Sequence, residues 1–416
     1  MLQGIYLDDW STEYPALGSP NCMALFQLPQ LSCLSFRFTI FIEQGYTVKK
    51  VIIVGGGLSG LVAANILACD TISCTVIEKK EYPFHRVCGE YISNETVPFL
   101  KSLDLYPELF APAQIKRFQL TSVNGKSAGL PLGLGGFGIS RFSFDHFLYQ
   151  RAESKGVEFL LNTEVESVQF SDDSFIASAG QKPLAADIII GSFGKRSKLD
   201  LTLNRGFIHR RSPYVGVKYH IRTNHPSDLI ALHNFEDGYC GISNIEDGKN
   251  CLCYLSHRNN LKKFGDIKSM EENVLFKNPF LKTIFSEADF LFEKPETINE
   301  ISFETKFSVE NHILMCGDAA GMITPLCGNG MAMAIHSAKI ASELIVQFCK
   351  GKISREILEK SYSQKWKSQF ARRLWAGRQI QKLFGSVRAS DFTVNLAEHV
   401  KPLARFLISK THGSPF

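Results

Sequence analysis

The 416-residue sequence predicts an α/β fold: a discontinuous nucleotide-type domain on a parallel sheet, an inserted and mostly antiparallel sheet, and a helical C-terminus. Three observations predict it. Short continuous apolar runs at 51–54 and 313–316 have the texture of strands buried on both faces. Each run leads through glycine into a helix-forming segment. Between about 205 and 300 the texture changes to alternation, as in Val215 to Ile221 and Cys251 to Leu255, which suits an antiparallel sheet covered on one face.

Residues 1–46 precede the first strand and carry no motif, so they are expected to be an extension outside the domain or the product of a start codon assigned too far upstream. Their longest apolar stretch, Ala24 to Ile42, is broken by Pro29 and Arg37 and does not read as a membrane span. Asp8 and Asp9 stand where a signal peptide carries positive charge. The run Val51-Ile52-Ile53-Val54 then opens a βαβ unit, with a glycine turn, a helix from Leu61 to Cys69 and a second strand from Cys74 to Glu78. Phe144 to Lys155 reads as a helix ended by Gly156. Val157 to Leu161, Val165 to Phe170 and Asp187 to Gly191 read as strands. Ile313 to Cys316 restores the parallel texture, Met331 to Phe348 makes a long helix, and about 356–410 is mainly helical. The expected domains are 47–204 with 301–350 for the nucleotide, 205–300 for the substrate-side sheet, and 351–416 for the helical region.

Composition is ordinary for a globular chain, and a net charge of +5 is too mild to suggest nucleic acid as a partner. The excess is concentrated: from Lys365 onward ten Lys or Arg face only Asp391 and Glu398. That pattern reads first as a solvated helical face. Within it, 370–378 reads as a helix capping the substrate pocket in preference to a basic amphipathic helix that meets a membrane. The eleven cysteines have no zinc spacing and the histidines no metal spacing; an odd thiol count without a framework fits a cytoplasmic protein. Cys251 and Cys253 read as strand positions pointing to opposite faces, which is not a redox pair.

The glycine turn is Gly55-Gly56-Gly57-Leu58-Ser59-Gly60. Gly55 permits the tight turn, Gly57 lets a pyrophosphate approach the backbone, and Gly60 lets helix and strand pack closely. Leu58 and Ser59 open the helix, whose free N–H groups face phosphate oxygens. Glu78, followed by Lys79, closes the second strand 18 residues beyond Gly60. A carboxylate there accepts hydrogen bonds from a ribose diol and repels a 2′-phosphate, which favours FAD or NAD over NADP.

A second segment runs Gly317-Asp318-Ala319-Ala320-Gly321-Met322-Ile323-Thr324-Pro325-Leu326-Cys327-Gly328-Asn329-Gly330-Met331. It resembles the second flavin fingerprint of the p-hydroxybenzoate hydroxylase and geranylgeranyl reductase superfamily of FAD-dependent oxidoreductases. The resemblance implies that the nucleotide domain is a Rossmann-like FAD-binding one. It implies that Asp318 binds the ribityl chain and that the turn of Pro325, Gly328, Asn329 and Gly330, with Met331 after it, lies along the isoalloxazine ring. The helix N-terminus there would stabilise the negative charge of reduced flavin. The resemblance runs from about Lys49 to Gly385. In Ile139-Ser140-Arg141, followed by Phe144-Asp145, it implies an arginine that approaches the flavin or pyrophosphate. Arg86 matches the family's early arginine at the flavin loop, and Val165 falls where family members bind adenine through backbone groups. Val87-Cys88-Gly89-Glu90 resembles a Cys-Gly turn of geranylgeranyl reductase-like members. It can place Cys88 near the flavin; a buried structural cysteine is the competing reading. His312 and His336 flank the second fingerprint and are expected in core or helix-surface roles.

One departure stands out. Where the family's hydroxylases carry an Asp-Gly pair after the strand ending at Gly191, this chain has Phe193 in the aspartate's place, with Gly194 and Ser197 retained. Lys195 or Arg196 can substitute as a phosphate ligand or lie at the surface. NAD(P)H is the implied electron donor, but the loss of that aspartate leaves room for another.

The resemblance implies an FAD-dependent monooxygenase that hydroxylates an aromatic or polyketide-like small molecule, with molecular oxygen and a flavin C4a-hydroperoxide. The cofactor carries that chemistry, so no catalytic side chain is singled out. A geranylgeranyl reductase-like enzyme acting on isoprenoid double bonds is the first alternative, and the Cys-Gly turn and Phe193 point towards it. A non-catalytic dissociation-inhibitor-like binding protein is the second; the intact Gly317-Asp318 pair argues against it. Trp10, Trp366 and Trp375 do not form the paired motif of flavin halogenases.

Overall fold

Every residue of the strand Val51–Val54 is buried, because the sheet it centres is packed on both faces. The computed structural model describes residues 49–416 apart from 181, 211, 300 and 383; the expectations for residues 1–46, including the 24–42 stretch and Trp10, lie outside the described residues. The sheet has six strands in the order Val309–Glu310, Ile313–Met315, Ile188–Gly191, Val51–Val54, Cys74–Ile77 and Glu158–Leu160. All pairings are parallel except that of the first two. Ile190 pairs with Leu314, so a strand made after a long excursion returns to complete the sheet begun at Val51. The helices Leu58–Cys69 and Gly330–Cys349 pack against each other on it.

The excursion builds a nine-stranded sheet. It is larger than the 205–300 stretch expected of it. Tyr91–Ser93, Ala113–Thr121 and Ser127–Gly138 join it, and Leu229–Phe235 pairs in parallel with Ala113–Thr121. The strand Ser127–Gly138 hides in the sequence because glycine replaces the alternating side chains. Gly136 and Gly138 are needed there: an added Cβ would lie 2.4 Å from the Tyr91 ring and 1.9 Å from the Asn244 carbonyl, respectively. Conversely, 258–287 is largely helical, as Arg258–Phe264, Ile267–Val274 and Pro279–Glu287. These helices bury one face of the sheet: Val217, Ile242, Leu252 and Tyr254 pack with Met270, Val274 and Leu281.

The expected opposite orientation of Cys251 and Cys253 is corrected by this packing. Residues two apart on a strand share a face. Leu252 and Tyr254 enter the helix-backed core, while the Cys251 thiol donates to the Cys88 carbonyl at 3.2 Å and Cys253 lines a cavity on the same side. Both are free thiols.

A three-stranded antiparallel meander, Val165–Ser171, Ser174–Ala179 and Lys182–Ala186, stands beside the parallel sheet. The C-terminal region is three helices, Arg355–Gln381, Val387–His399 and Lys401–Ser409. In the first, Trp366, Phe370 and Leu374 are buried in the core of the parallel-sheet layer, whereas Trp375 faces outward. The last two pack on Ser127–Gly138. Among the described residues no helix is long and apolar enough to cross a membrane.

Candidate functional site

Both glycine-bearing turns open into one cavity of about 630 Å³. The turn after Val54 is held by its own backbone. Gly55 has φ +98° and a Cβ there would lie 2.5 Å from the Ser192 carbonyl oxygen, so only glycine fits. Gly60 stands behind the wall of the cavity, where its missing side chain lets the Gly55 carbonyl approach; a Cβ would sit 2.2 Å from that oxygen. Gly57 is the opposite case. Nothing of the chain comes closer to its Cβ position than the Ser192 oxygen at 3.8 Å, and the position faces the cavity together with Leu58 and Ser59. The sequence missed what fixes Gly56. The Tyr82 hydroxyl donates to the Gly56 carbonyl at 2.5 Å and leaves no room for a side chain, since a Cβ would meet it at 1.9 Å.

Glu78 is buried at the cavity's edge beside Lys79. Its carboxylate accepts from the Gly56 amide at 2.8 Å and the Lys80 amide at 3.2 Å, with an Arg86 guanidinium nitrogen 3.3 Å away. Asp145 gathers both expected arginines. Arg141 donates to it in bidentate fashion at 2.7 and 2.6 Å, and Arg86 donates at 3.2 Å. Arg86, Arg141 and Val165 all line the cavity.

At the second turn Gly317 has φ +59°, and a Cβ would lie 2.8 Å from Ser59 Oγ, so the two turns touch. Asp318 lines the cavity, and burial pushes its carboxyl above the usual range against the pull of Lys306, Arg141 and Lys195. Lys306, unmarked in the sequence, is buried behind it and donates to the Asp318 and Lys195 carbonyls at 2.8 Å each. Burial lowers the Lys306 ammonium to about 8, with Asp318 and Asp200 opposing the shift. Pro325, Gly328, Gly330 and Met331 line the cavity. Asn329 does not; it is buried one layer back and donates to the Thr411 carbonyl at 2.8 Å, tying this turn to the C-terminal helices.

Phe193 lines the cavity with Gly194, Lys195 and Arg196. The Lys195 ammonium donates to the Asn299 carbonyl at 2.5 Å and Arg196 donates to the Ile208 carbonyl at 3.2 Å. Cys88 is also on the wall, and burial pushes its thiol up, so it stays protonated at neutral pH. His312 stacks on Phe170 at the surface, and His336 is buried against Phe370 and Phe416. Among the described residues no group of three or more His, Cys, Asp or Glu could hold a metal ion.

These features fit FAD: a glycine turn left open only at Gly57, a carboxylate at each turn, and two anchored guanidinium groups. Residues 49–218 match the family model described as an FAD binding domain. The enzyme is an FAD-binding oxidoreductase. The flavoenzyme is 24% identical over 375 residues to a digeranylgeranylglycerophospholipid reductase of Methanosarcina acetivorans, covering 85% of this chain and 89% of that protein. It is 22% identical to conditioned medium factor receptor 1 of Dictyostelium discoideum, covering 78% of this chain and 68% of the receptor. Its fold matches a geranylgeranyl bacteriochlorophyll reductase-like protein of Thermoplasma acidophilum with a TM-score of 0.71 at 17% identity, covering 88% of this chain and 96% of the other. It matches the flavin-dependent halogenase CmlS with a TM-score of 0.68 at 21% identity, covering 81% of this chain but only 64% of the halogenase chain.

A charged cluster beneath the Cys-Gly turn escaped the sequence reading. In the flavoenzyme Glu90, Lys218 and His220 are all buried. The Lys218 ammonium donates to Glu90 Oε1 at 2.5 Å and to the Arg86 carbonyl at 3.1 Å, while His220 Nε2 lies 2.7 Å from Glu90 Oε2. The Arg141 amide also donates to Glu90, at 2.8 Å. Burial works to raise the Glu90 carboxyl, but Lys218 and His220 overcome it and hold the group at about 2. A carboxyl depressed in this way stabilises the fold above its ordinary pKa of 4.5, and that stabilisation is lost as pH falls from about 4.5 to about 2. Urea unfolding should therefore show Glu90→Gln much weaker than the parent at pH 6. The gap should narrow by on the order of 3 kcal/mol as acid protonates Glu90. A gap independent of pH would contradict the assignment.

The rest of the cavity is mainly apolar, with Tyr239, Thr393, Thr411 and His412 among its polar wall residues. Beyond the Pro325 turn its walls are Leu120, Leu130, Leu232 and Leu255 from the large sheet, Leu326, and Ile380, Leu396, Ala397, Ala404 and Ile408 from the C-terminal helices. The long helix packs on the second turn at Gly377, whose Cβ position lies 3.0 to 3.3 Å from Thr324, Cys327 and Ile323; its Ile380 is on the wall, whereas no residue of the expected cap at 370–378 lines the cavity.

Proposed function

We propose that the flavoenzyme reduces carbon–carbon double bonds in a long apolar, isoprenoid-like substrate. The observation that carries this reading is the mainly apolar chamber between the large sheet and the C-terminal helices, walled by Leu120, Leu130, Leu232, Leu255, Leu396 and Ile408. The curated relatives named as digeranylgeranylglycerophospholipid reductases support it, as does the Cys-Gly turn at Cys88. In this reading Gly55, Gly57, Leu58 and Ser59 hold the diphosphate, with Arg86 and Arg141 beside it. Glu78 and Lys79 take the adenosine ribose, Val165 the adenine and Asp318 the ribityl chain. Pro325, Gly328, Gly330 and Met331 meet the ring, with Asn329 bracing that turn from behind. The substrate is then held by the strands Ala113–Thr121 and Ser127–Gly138 and the C-terminal helices as well as by the 205–300 stretch, so a division at about 205 and 300 does not separate the two roles. Reduced FAD supplies a hydride equivalent when bound. The leucines of the sheet align the chain against the ring and exclude water. The electron donor is an external reductant, with NAD(P)H as the first candidate.

The test is anaerobic. Protein reduced with dithionite and mixed with a lipid bearing geranylgeranyl chains should recover its oxidised flavin absorbance without oxygen. If the flavin stays reduced until air is admitted, and oxygen is then consumed with an aromatic substrate, the enzyme is a hydroxylase and the reductase reading falls.

A further inference from the structure

The last two helices are apolar on both sides. Their inner faces line the chamber through Leu396, Ala397, Ala404, Leu407 and Ile408. Their outer faces carry Phe392, which is 63% exposed, and Phe406, which is 54% exposed, with Val400 and Leu403 exposed as well. Leu403, Phe406 and Lys410 fall at helical spacing on one side of the final helix, opposite buried Ala404. Large exposed apolar side chains on two helices that pack together suit an interaction surface.

The charge around them identifies the partner. Arg388, Lys401, Arg405 and Lys410 belong to these two helices and their ends, against Asp391 and Glu398. Asp391 is already engaged by Asn124 at 2.9 Å and Lys126 at 3.8 Å, on the sheet side. The Lys410 ammonium sits 4.6 Å from the centre of the Phe406 ring, so cation and aromatic share the outer face. Aromatic side chains flanked by lysine and arginine suit the boundary between acyl chains and anionic headgroups.

We propose that the helix pair 387–409 docks on an anionic lipid bilayer, with Phe392, Leu403 and Phe406 inserted into the acyl boundary. Because the inner faces of the same helices wall the chamber, docking places the chamber one helix layer from the membrane. An apolar substrate can then pass from bilayer to flavin without crossing water. This last step rests on the reading of an isoprenoid-like substrate; the docking itself does not.

Full-length FAD-loaded protein should co-float with vesicles of phosphatidylcholine mixed with phosphatidylglycerol, and much less with phosphatidylcholine alone. Replacing both aromatics, Phe392→Ser with Phe406→Ser, should lower the bound fraction about tenfold or more. Lys401→Glu with Arg405→Glu should weaken binding in parallel with added salt. Flavin content, melting temperature and turnover of a short water-soluble alkene should be unchanged in the aromatic variant. Wild-type protein that stays in the soluble fraction overturns the proposal, and so does an aromatic variant that floats as well as the parent. A dimer in vesicle-free buffer that the aromatic variant converts to monomer assigns the face to a second copy instead. Failure of the reductase reading would show as no turnover of any alkene and would leave flotation intact.

Discussion

Gly57→Val is expected to yield a folded protein that purifies without flavin. At Gly57 φ is −78° and ψ −178°, an extended conformation that valine adopts readily. The nearest chain atom to a Cβ is 3.8 Å away, so a side chain can start from this position without meeting the Ser192 backbone. The protein's stability should change by no more than about 0.5 kcal/mol. The added isopropyl group instead fills the space over the Leu58 and Ser59 amides, the donors a diphosphate would use. Losing that approach should weaken FAD by about 100-fold or more, or roughly 3 kcal/mol. Gly60→Val separates the two roles of the turn. Its side chain would collide with the Gly55 carbonyl, so it should lose stability and flavin together. Visible absorbance and thermal unfolding on the two variants distinguish these outcomes, and a Gly57→Val protein with full flavin would place the diphosphate elsewhere.

Lys218→Met should cost about 3–5 kcal/mol of folding stability, because it leaves the Glu90 carboxylate buried without its ammonium. Neither group is accessible to water, so no solvent replaces the lost partner. Glu90 also accepts from the Arg141 amide and from His220, so the disturbance should reach the Cys-Gly turn and the start of the helix Arg141–Ser154. A double-mutant cycle with Glu90→Gln reads the coupling: the double variant should be much less destabilised than the sum of the two single ones. Additive losses would mean that the two side chains do not act as a pair.

The parallel-sheet layer was legible because its signals are local. A fully buried strand, a glycine turn and a helix follow one another within twenty residues, and Gly60 is required by the Gly55 carbonyl inside that span. The second turn was legible for the same reason. What stayed hidden depends on distance. Glu90 meets Lys218 across 128 positions and His220 across 130, with no pattern to pair them. Tyr82 lies 26 positions from the carbonyl it holds. The strand Ser127–Gly138 was invisible because its glycines serve packing against Tyr91 and Asn244 rather than alternation. The helices at 258–287 were merged into the neighbouring strands, and only tertiary burial of Met270, Val274 and Leu281 distinguishes them. Cys251 and Cys253 share a face because alternate residues on a strand do so, a period that the sequence itself carries.

The claim that the apolar chamber serves double-bond reduction is tested most directly by the mass of the product. Reduced enzyme supplied with a geranylgeranyl-chain lipid in the absence of oxygen should return a lipid heavier by two hydrogen atoms for each double bond consumed, with one reduced flavin oxidised per bond. A product that forms only in air and carries one added oxygen atom would contradict the account.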